Sequence, residues 1–318
     1  MHVSTNIRCL MMAACFVGFA FRLIAGDADT TARVKPDPLP SWTLFVPGAA
    51  YFHQGSIAKG LTFAVLQAGG VYAGIRYNES LKNNNSSAYY NYPLLLGLQA
   101  YNTEKLAWFR IQLATIHYFQ PDFRYHDLSD KNLYLSPFKP ENIFTPITGG
   151  MLLLAAVYLG IEKYHATTRI RDVERMYFID RYIGKGAGLG AFGGVSMGMS
   201  WSAGVVEEYM LRNYLMPVLD YRLGQRKGLI YSSLIFGSLH MGNMLLAERP
   251  DVLATLFQSV NAAVLGYFLG RDVQRRGYDI GPAVAAHTWY NFALMLGSFL
   301  INPDDNVFGV SVTFKLGT

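Results

Sequence analysis

Four polar side chains stand out against an apolar background. Glu207, His240, His287 and Asn291 lie in three separate stretches that otherwise carry almost no charge. From Gly186 to Pro217 the only charged residues are Glu207, Glu208 and Arg212. A carboxylate kept from water holds its proton more tightly, which suits it to act as a general base. A histidine beside it can hold or polarise the same water. A second histidine and an asparagine amide can donate to a developing oxyanion. Two histidines and a carboxylate could equally hold a divalent metal with one open position. Glu207, His240 and His287 are therefore also candidate ligands for a metal such as zinc. The residues leave metal-bound and metal-free chemistry both open.

Helical spacing brings these groups to similar depth. Glu207 is about 13 residues from Asp220, and His240 about 13 from Lys227, each roughly 20 Å along a helix. His287 is about 8 residues past Asp279, roughly 12 Å, and Asn291 lies at roughly 18 Å. Helix tilt absorbs such differences. His287 and Asn291 are four residues apart and share a helix face. Glu208 and Arg212 also stand four apart, acid first, the favoured order for an ion pair. Glu207 points about 100° away and has no such local partner. One carboxylate is thus expected to be structural and the other free for chemistry. Taken singly, an intramembrane histidine or asparagine is commonly just an interhelical hydrogen bond, and Phe236 is ordinary core. Four polar groups at matched depth are what point to a site.

The elements that must carry these groups are membrane helices. The chain has 318 residues, of which 51% are hydrophobic and only 15% charged. A soluble domain typically carries about 25% charged residues. Mean hydropathy is only +0.17, because the apolar residues come in blocks. Segments 142–161, 229–247, 252–270 and 280–303 contain no charged residue. Runs of roughly 19 residues suffice for a bilayer core of about 30 Å. An ordinary cytosolic enzyme and a disordered chain are excluded. The net charge of +5 comes from short basic blocks between apolar runs, a loop signature rather than a nucleic-acid surface. The two cysteines, Cys9 and Cys15, share the first apolar stretch and offer neither a disulfide framework nor a cysteine metal site.

The expected fold is all-α, a polytopic transmembrane bundle of about six to eight segments. Residues 1–26 read as a signal peptide or an N-terminal anchor. Residues 27–141 form an N-terminal region of short apolar and amphipathic pieces. Within it, 40–58 fit an interfacial or re-entrant element. Residues 92–120, with Glu104, Lys105 and Arg110, fit a helix lying on or against the membrane. The stretch 121–141 reads as an extended connection. Residues 142–185 give a span and then a charged block with six basic and four acidic residues, expected as one cytoplasmic helix or loop. The core is 186–303, and 304–318 is a tail. The run 186–217 is either a span plus a turn or one kinked helix. Basic loops at 220–227 and 271–279 lie two spans apart, hence on one side, which the positive-inside rule makes cytoplasmic.

Three motifs now stand in order on successive apolar segments. They are Glu207-Glu208-Tyr209-Met210-Leu211-Arg212, Phe236-Gly237-Ser238-Leu239-His240 and His287-Thr288-Trp289-Tyr290-Asn291. Together they resemble the CPBP family of intramembrane proteases, which includes the type II CAAX prenyl endopeptidases and bacterial relatives. The resemblance covers roughly 186–303. It implies hydrolysis of a peptide bond in a membrane-associated protein or peptide, inside a helical membrane fold, with membrane lipids around it and no nucleic-acid partner. By motif it implies Glu207 as the base that activates water and His240 as its partner. His287 and Asn291 would form the oxyanion site, and Glu208 and Arg212 a structural ion pair. The family implies either a divalent metal or a glutamate mechanism with none. The expected location is a bacterial cytoplasmic membrane. Many relatives read F-R-G where this chain has Leu211-Arg212-Asn213, which keeps the polar set but marks a divergent branch. Two other classes remain open: a catalytically silent membrane scaffold of the same family, and a proton-coupled transporter, although no inverted repeat is evident.

Overall fold

The computed structural model describes residues 39–83, 92–178, 181–242, 251–304 and 312–314. The expected signal peptide or anchor at 1–26 lies outside the described residues. The long helices are α1 (Ile57–Asn83), α2 (Tyr92–Phe119) and α3 (Pro146–His165). Two strands follow, β1 (Val173–Phe178) and β2 (Arg181–Gly184). Then come α4 (Lys185–Glu208), a π-helical segment (Tyr209–Leu215), α5 (Met216–Leu223), α6 (Gln225–His240), α7 (Val252–Arg275) and α8 (Gly281–Ile301). A last strand is β3 (Val312–Phe314). The fold is all-α apart from these three strands. Among the described residues, α3, α7 and α8 are long and apolar enough to cross a membrane. Three such helices stand against the six to eight segments expected.

Local chemistry sets the helix starts. Asp251 accepts the backbone N–H groups of Leu253 and Ala254 at 2.9 and 3.0 Å, capping α7. Asp279 accepts the N–H of Gly281 at 2.9 Å at the start of α8. Gly224, with φ of 84°, turns the chain between α5 and α6.

The run after Gly186 is one continuous helical path, which decides between the two forms expected for it. It contains α4, the π-helical segment and α5, of 24, 7 and 8 residues. Pro217 explains the wide turn. It has no N–H for the carbonyl of Asn213, and its ring crowds that carbonyl. The helix widens instead, and Met216 N–H bonds back to the carbonyl of Leu211, five residues earlier.

Small residues let the helices touch. A Cβ on Gly204 of α4 would stand 2.3 Å from Thr288 Oγ1 of α8. A Cβ on Gly237 of α6 would stand 2.5 Å from the Ser259 carbonyl of α7. Helices α3 and α8 run parallel. Gly281 abuts Asn142 at one end, and Gly297 abuts Leu159 near the other. There Ser298 donates to Glu162, and Thr168 donates to Asn302 at 2.8 Å.

Three parts of the sequence reading are corrected here. The charged block 162–185 is not one helix or loop. After α3 ends, it forms an antiparallel hairpin, with Met176 opposite Ile183, and β3 pairs with the other edge of β1. Met176 is fully buried beneath Gly188. This sheet also sits at the opposite end of the α3–α8 pair from the 271–279 loop, so the two cannot share one membrane face if those helices cross. Second, α2 does not turn its charges outward. Glu104 and Lys105 are buried, at 0% and 2% exposure. Third, the connection 121–141 is extended only to Ser129, after which Asp130–Leu135 and Pro140–Ile143 are helical. The segment expected as interfacial or re-entrant folds onto α2 as a 3₁₀ turn, Ser41–Leu44, and a short helix, Ala49–His53. Its irregular backbone is satisfied by protein, the condition for such backbone at membrane depth.

Candidate active site

The site begins where α4 gives way to the π-helical segment. Adjacent residues on a helix point in different directions, so Glu207 and Glu208 meet different surroundings. Glu208 turns into the bundle and is completely buried. Its Oε1 accepts from His287 Nδ1 at 2.8 Å and lies 3.2 Å from Arg212 Nη1. The ion pair foreseen at four-residue spacing is therefore present. Its geometry is a charge contact rather than an aligned hydrogen bond, because Arg212 Nη1 and Nη2 and Glu208 Oε2 all lack a hydrogen-bond partner. Arg212 instead lies over the Phe236 ring, 4.2 Å from its centroid.

Glu207 keeps 26% of its side-chain surface and faces His287 from the other side, with Oε2 3.8 Å from Nε2. A carboxylate can only accept, so the short contact to Glu208 places a proton on His287 Nδ1. That leaves Nε2 directed at Glu207. The 3.8 Å separation is too long for a direct hydrogen bond and short enough for one water to touch both groups.

His240 ends α6. Its Nδ1 is 3.0 Å from the Phe236 carbonyl, which can only accept, so Nδ1 carries a proton and Nε2 takes no part in that contact. Among the described residues His240 makes no ion pair with Glu207. The histidine nearest Glu207 is His287, a pairing that spacing along separate helices cannot reveal. Asn291 lies one turn beyond His287 on α8 and is half-buried.

Phe236 is the residue whose importance composition hid. Its ring packs edge-on against His240 at 4.8 Å and His287 at 5.9 Å, with Arg212 on its face. Gly266 of α7 makes room for this group, since a Cβ there would stand 2.9 Å from both Arg212 Nη2 and Phe236 Cδ1. The signals for it were its place at the head of the Phe236–His240 motif and a glycine inside the apolar run of α7.

The suggested metal set needs three donors around one point. Among the described residues no three His, Cys, Asp or Glu groups are arranged to hold a metal ion. Glu207 and His287 face one another, but His240 does not close the set. The placed residues thus do not form the zinc-type site that spacing permitted.

No curated protein and no solved structure matches the chain. The family model described as type II CAAX prenyl endopeptidase Rce1-like matches residues 192–293. That stretch begins within α4, ends within α8, and holds Glu207, Glu208, Arg212, His240, His287 and Asn291. Over residues 192–293, about a third of the chain, the protein is therefore similar to the Rce1-like type II CAAX prenyl endopeptidases, the resemblance that the three motifs carry.

Proposed function

We propose that the protein is an intramembrane endopeptidase that hydrolyses a peptide bond of a membrane-associated protein or peptide. The observation that carries this is the division of labour between adjacent carboxylates: Glu208 is buried against His287 and Arg212, while Glu207 remains accessible 3.8 Å from His287 Nε2. Glu207 accepts a proton from water, and the resulting hydroxide attacks the scissile carbonyl carbon. His240 Nε2 holds the second hydrogen of that water. The carbonyl oxygen becomes an oxyanion and receives hydrogen bonds from His287 Nε2–H and the Asn291 amide. Collapse breaks the C–N bond, and Glu207 returns its proton to the leaving amine.

Charge counting supports the role of His287. Two carboxylates and one guanidinium surround it, so a charged imidazolium makes the four-residue group electrically neutral. With Nδ1–H on Glu208, the imidazolium directs Nε2–H into the site. Apolar helices supply the dry surroundings in which such donors act strongly.

The test uses purified full-length protein in liposomes and two probes, a prenylated CAAX-type peptide and its unprenylated counterpart. Cleavage of either by wild type, with loss in Glu207→Gln, is the expected result. Equal cleavage by Glu207→Gln, or no cleavage of either peptide by wild type, overturns the proposal.

A further inference from the structure

The segment between α2 and the helix Asp130–Leu135 lies outside the family-matched stretch, yet it touches both elements that carry the buried pair. His126 makes the contacts. Its backbone N–H donates to Asn213 Oδ1 at 3.0 Å. Asn213 is fully buried in the π-helical segment, next to Arg212 and five residues after Glu208. The His126 ring reaches the other element. Nδ1 is 3.1 Å from Asp279 Oδ1, and the same oxygen accepts the N–H of Gly281 at 2.9 Å. Nδ1 also lies 3.4 Å from the N–H of Ile280. With a proton on Nδ1 the shorter contact to Asp279 is made, and without it the longer one from Ile280. Either form ties the ring to the first turn of α8.

A closed circuit results. It runs from Glu208 through the π-helical segment to Asn213, across His126 to Asp279 and Gly281, along α8 to His287, and back to Glu208. The segment that closes it is fastened on both sides. Phe123 is buried, with His117 Nδ1 3.1 Å from its carbonyl. Arg110 donates to the Leu128 carbonyl at 3.1 Å and pairs with Asp130 at 2.6 Å. A π-helical turn is a locally weaker structure, and one at a reacting group needs outside support. The Asn213 side chain is what receives the strap.

We propose that residues 120–130 form a strap on the active site, with His126 as the positioning residue that holds the π-helical segment against the start of α8 and so fixes the Glu208–His287 contact. This rests on the reading of Glu207, Glu208 and His287 as the reactive group. His126 touches no reacting atom. Its contribution is alignment, where displacements near 1 Å cost up to about a hundredfold in turnover.

Two measurements on the full-length protein test this. The first needs no substrate: amide hydrogen exchange of residues 281–287 and 209–215 in His126→Leu, His126→Asn and wild type. Asparagine places its amide near the position of Nδ1, so it preserves the contact to Asp279. His126→Leu should raise exchange at both segments by about tenfold, leaving α3 unchanged, and His126→Asn should restore protection. The second is cleavage of the liposome peptide probe. His126→Leu should lower kcat by about tenfold or more with KM within about twofold, again rescued by His126→Asn. Asp279→Asn approaches the same contact from the other side and serves if His126→Leu does not fold. Unchanged exchange in His126→Leu, or an effect confined to KM, overturns the proposal. Raised exchange together with full activity of Glu207→Gln overturns the site reading, and with it any part for His126 in turnover.

Discussion

Among the described residues, two clusters of adjacent charges are buried, one around Glu104 and Lys105 and one around Glu207 and Glu208, and they are built differently. In α2, Glu104 and Lys105 are saturated. Glu104 accepts from Gly48 N–H at 2.9 Å, Ala50 N–H at 3.2 Å and Gln67 Nε2 at 2.6 Å. Lys105 donates to the Thr43 carbonyl at 3.0 Å, lies 3.5 Å from Glu104, and packs over the Tyr101 ring. These contacts hold 43–50 and α1 to α2. In the second cluster Glu208 Oε2 and both terminal nitrogens of Arg212 have no hydrogen-bond partner, and Glu207 is accessible. Buried charge by itself therefore signals architecture. Spare hydrogen-bonding capacity beside an accessible carboxylate signals chemistry.

Variants that exchange the behaviour of the two clusters test this contrast. Glu207→Gln should lower turnover by about 10² to 10⁴ while thermal unfolding stays near wild type, measured by peptide cleavage and by scanning fluorimetry in detergent. Glu104→Ala should act on folding. It removes the counter-ion of buried Lys105 and the acceptor of Gly48 N–H, Ala50 N–H and Gln67 Nε2, and should cost about 3–5 kcal/mol, read from denaturant unfolding. Gly266→Ala forces a methyl group against Arg212 and Phe236. It should cost about 1–3 kcal/mol in the same assay, and should lower kcat because both residues border His287. A cavity that absorbs the methyl without change in either quantity would show that Phe236 and Arg212 are not tightly held.

The smallest effect concerns acid stability at the basic end of the bundle. The hydrogen bond from His126 holds the Asp279 carboxyl below the usual carboxylate range. A depressed carboxylate contributes stability that is complete above its unfolded pKa and is lost as pH falls through its folded value. Asp279→Asn should therefore be less stable than wild type near neutrality, and the difference should close below about pH 4. The carboxylate is 44% exposed, so solvent screening makes this shift in unfolding temperature modest. A difference that widens on acidification would contradict the assignment.

Parts of this architecture can be read from residue order alone, and the exceptions have physical causes. The ion pair of Glu208 with Arg212 follows from helical spacing, and it is present at 3.2 Å although Arg212 lies in the middle of the π-helical segment that starts just after Glu208. The core positions of the three motifs follow from apolar runs interrupted by single polar residues. The contact between His287 and Glu208 does not follow, because it joins residues 79 apart and depends on where α8 crosses α4. The strands in 173–184 were masked by charge. Val173 and Met176 bury their side chains, but the acids and bases between them outweigh that pattern when only charge is counted. The inward turn of Glu104 is likewise hidden in the sequence, because an acidic residue on a helix ordinarily faces solvent. The donors that draw it inward are backbone groups of Gly48 and Ala50, invisible to any count of side chains.

The most direct measurement is cleavage of the prenylated CAAX-type peptide and of its unprenylated counterpart in liposomes by wild type and by Glu207→Gln, each protein first shown to unfold at the same temperature. The account predicts that wild type cleaves and that Glu207→Gln is at least about a hundredfold slower. Equal rates from the two proteins would contradict it, and would move Glu207 from the reaction to the packing of the bundle.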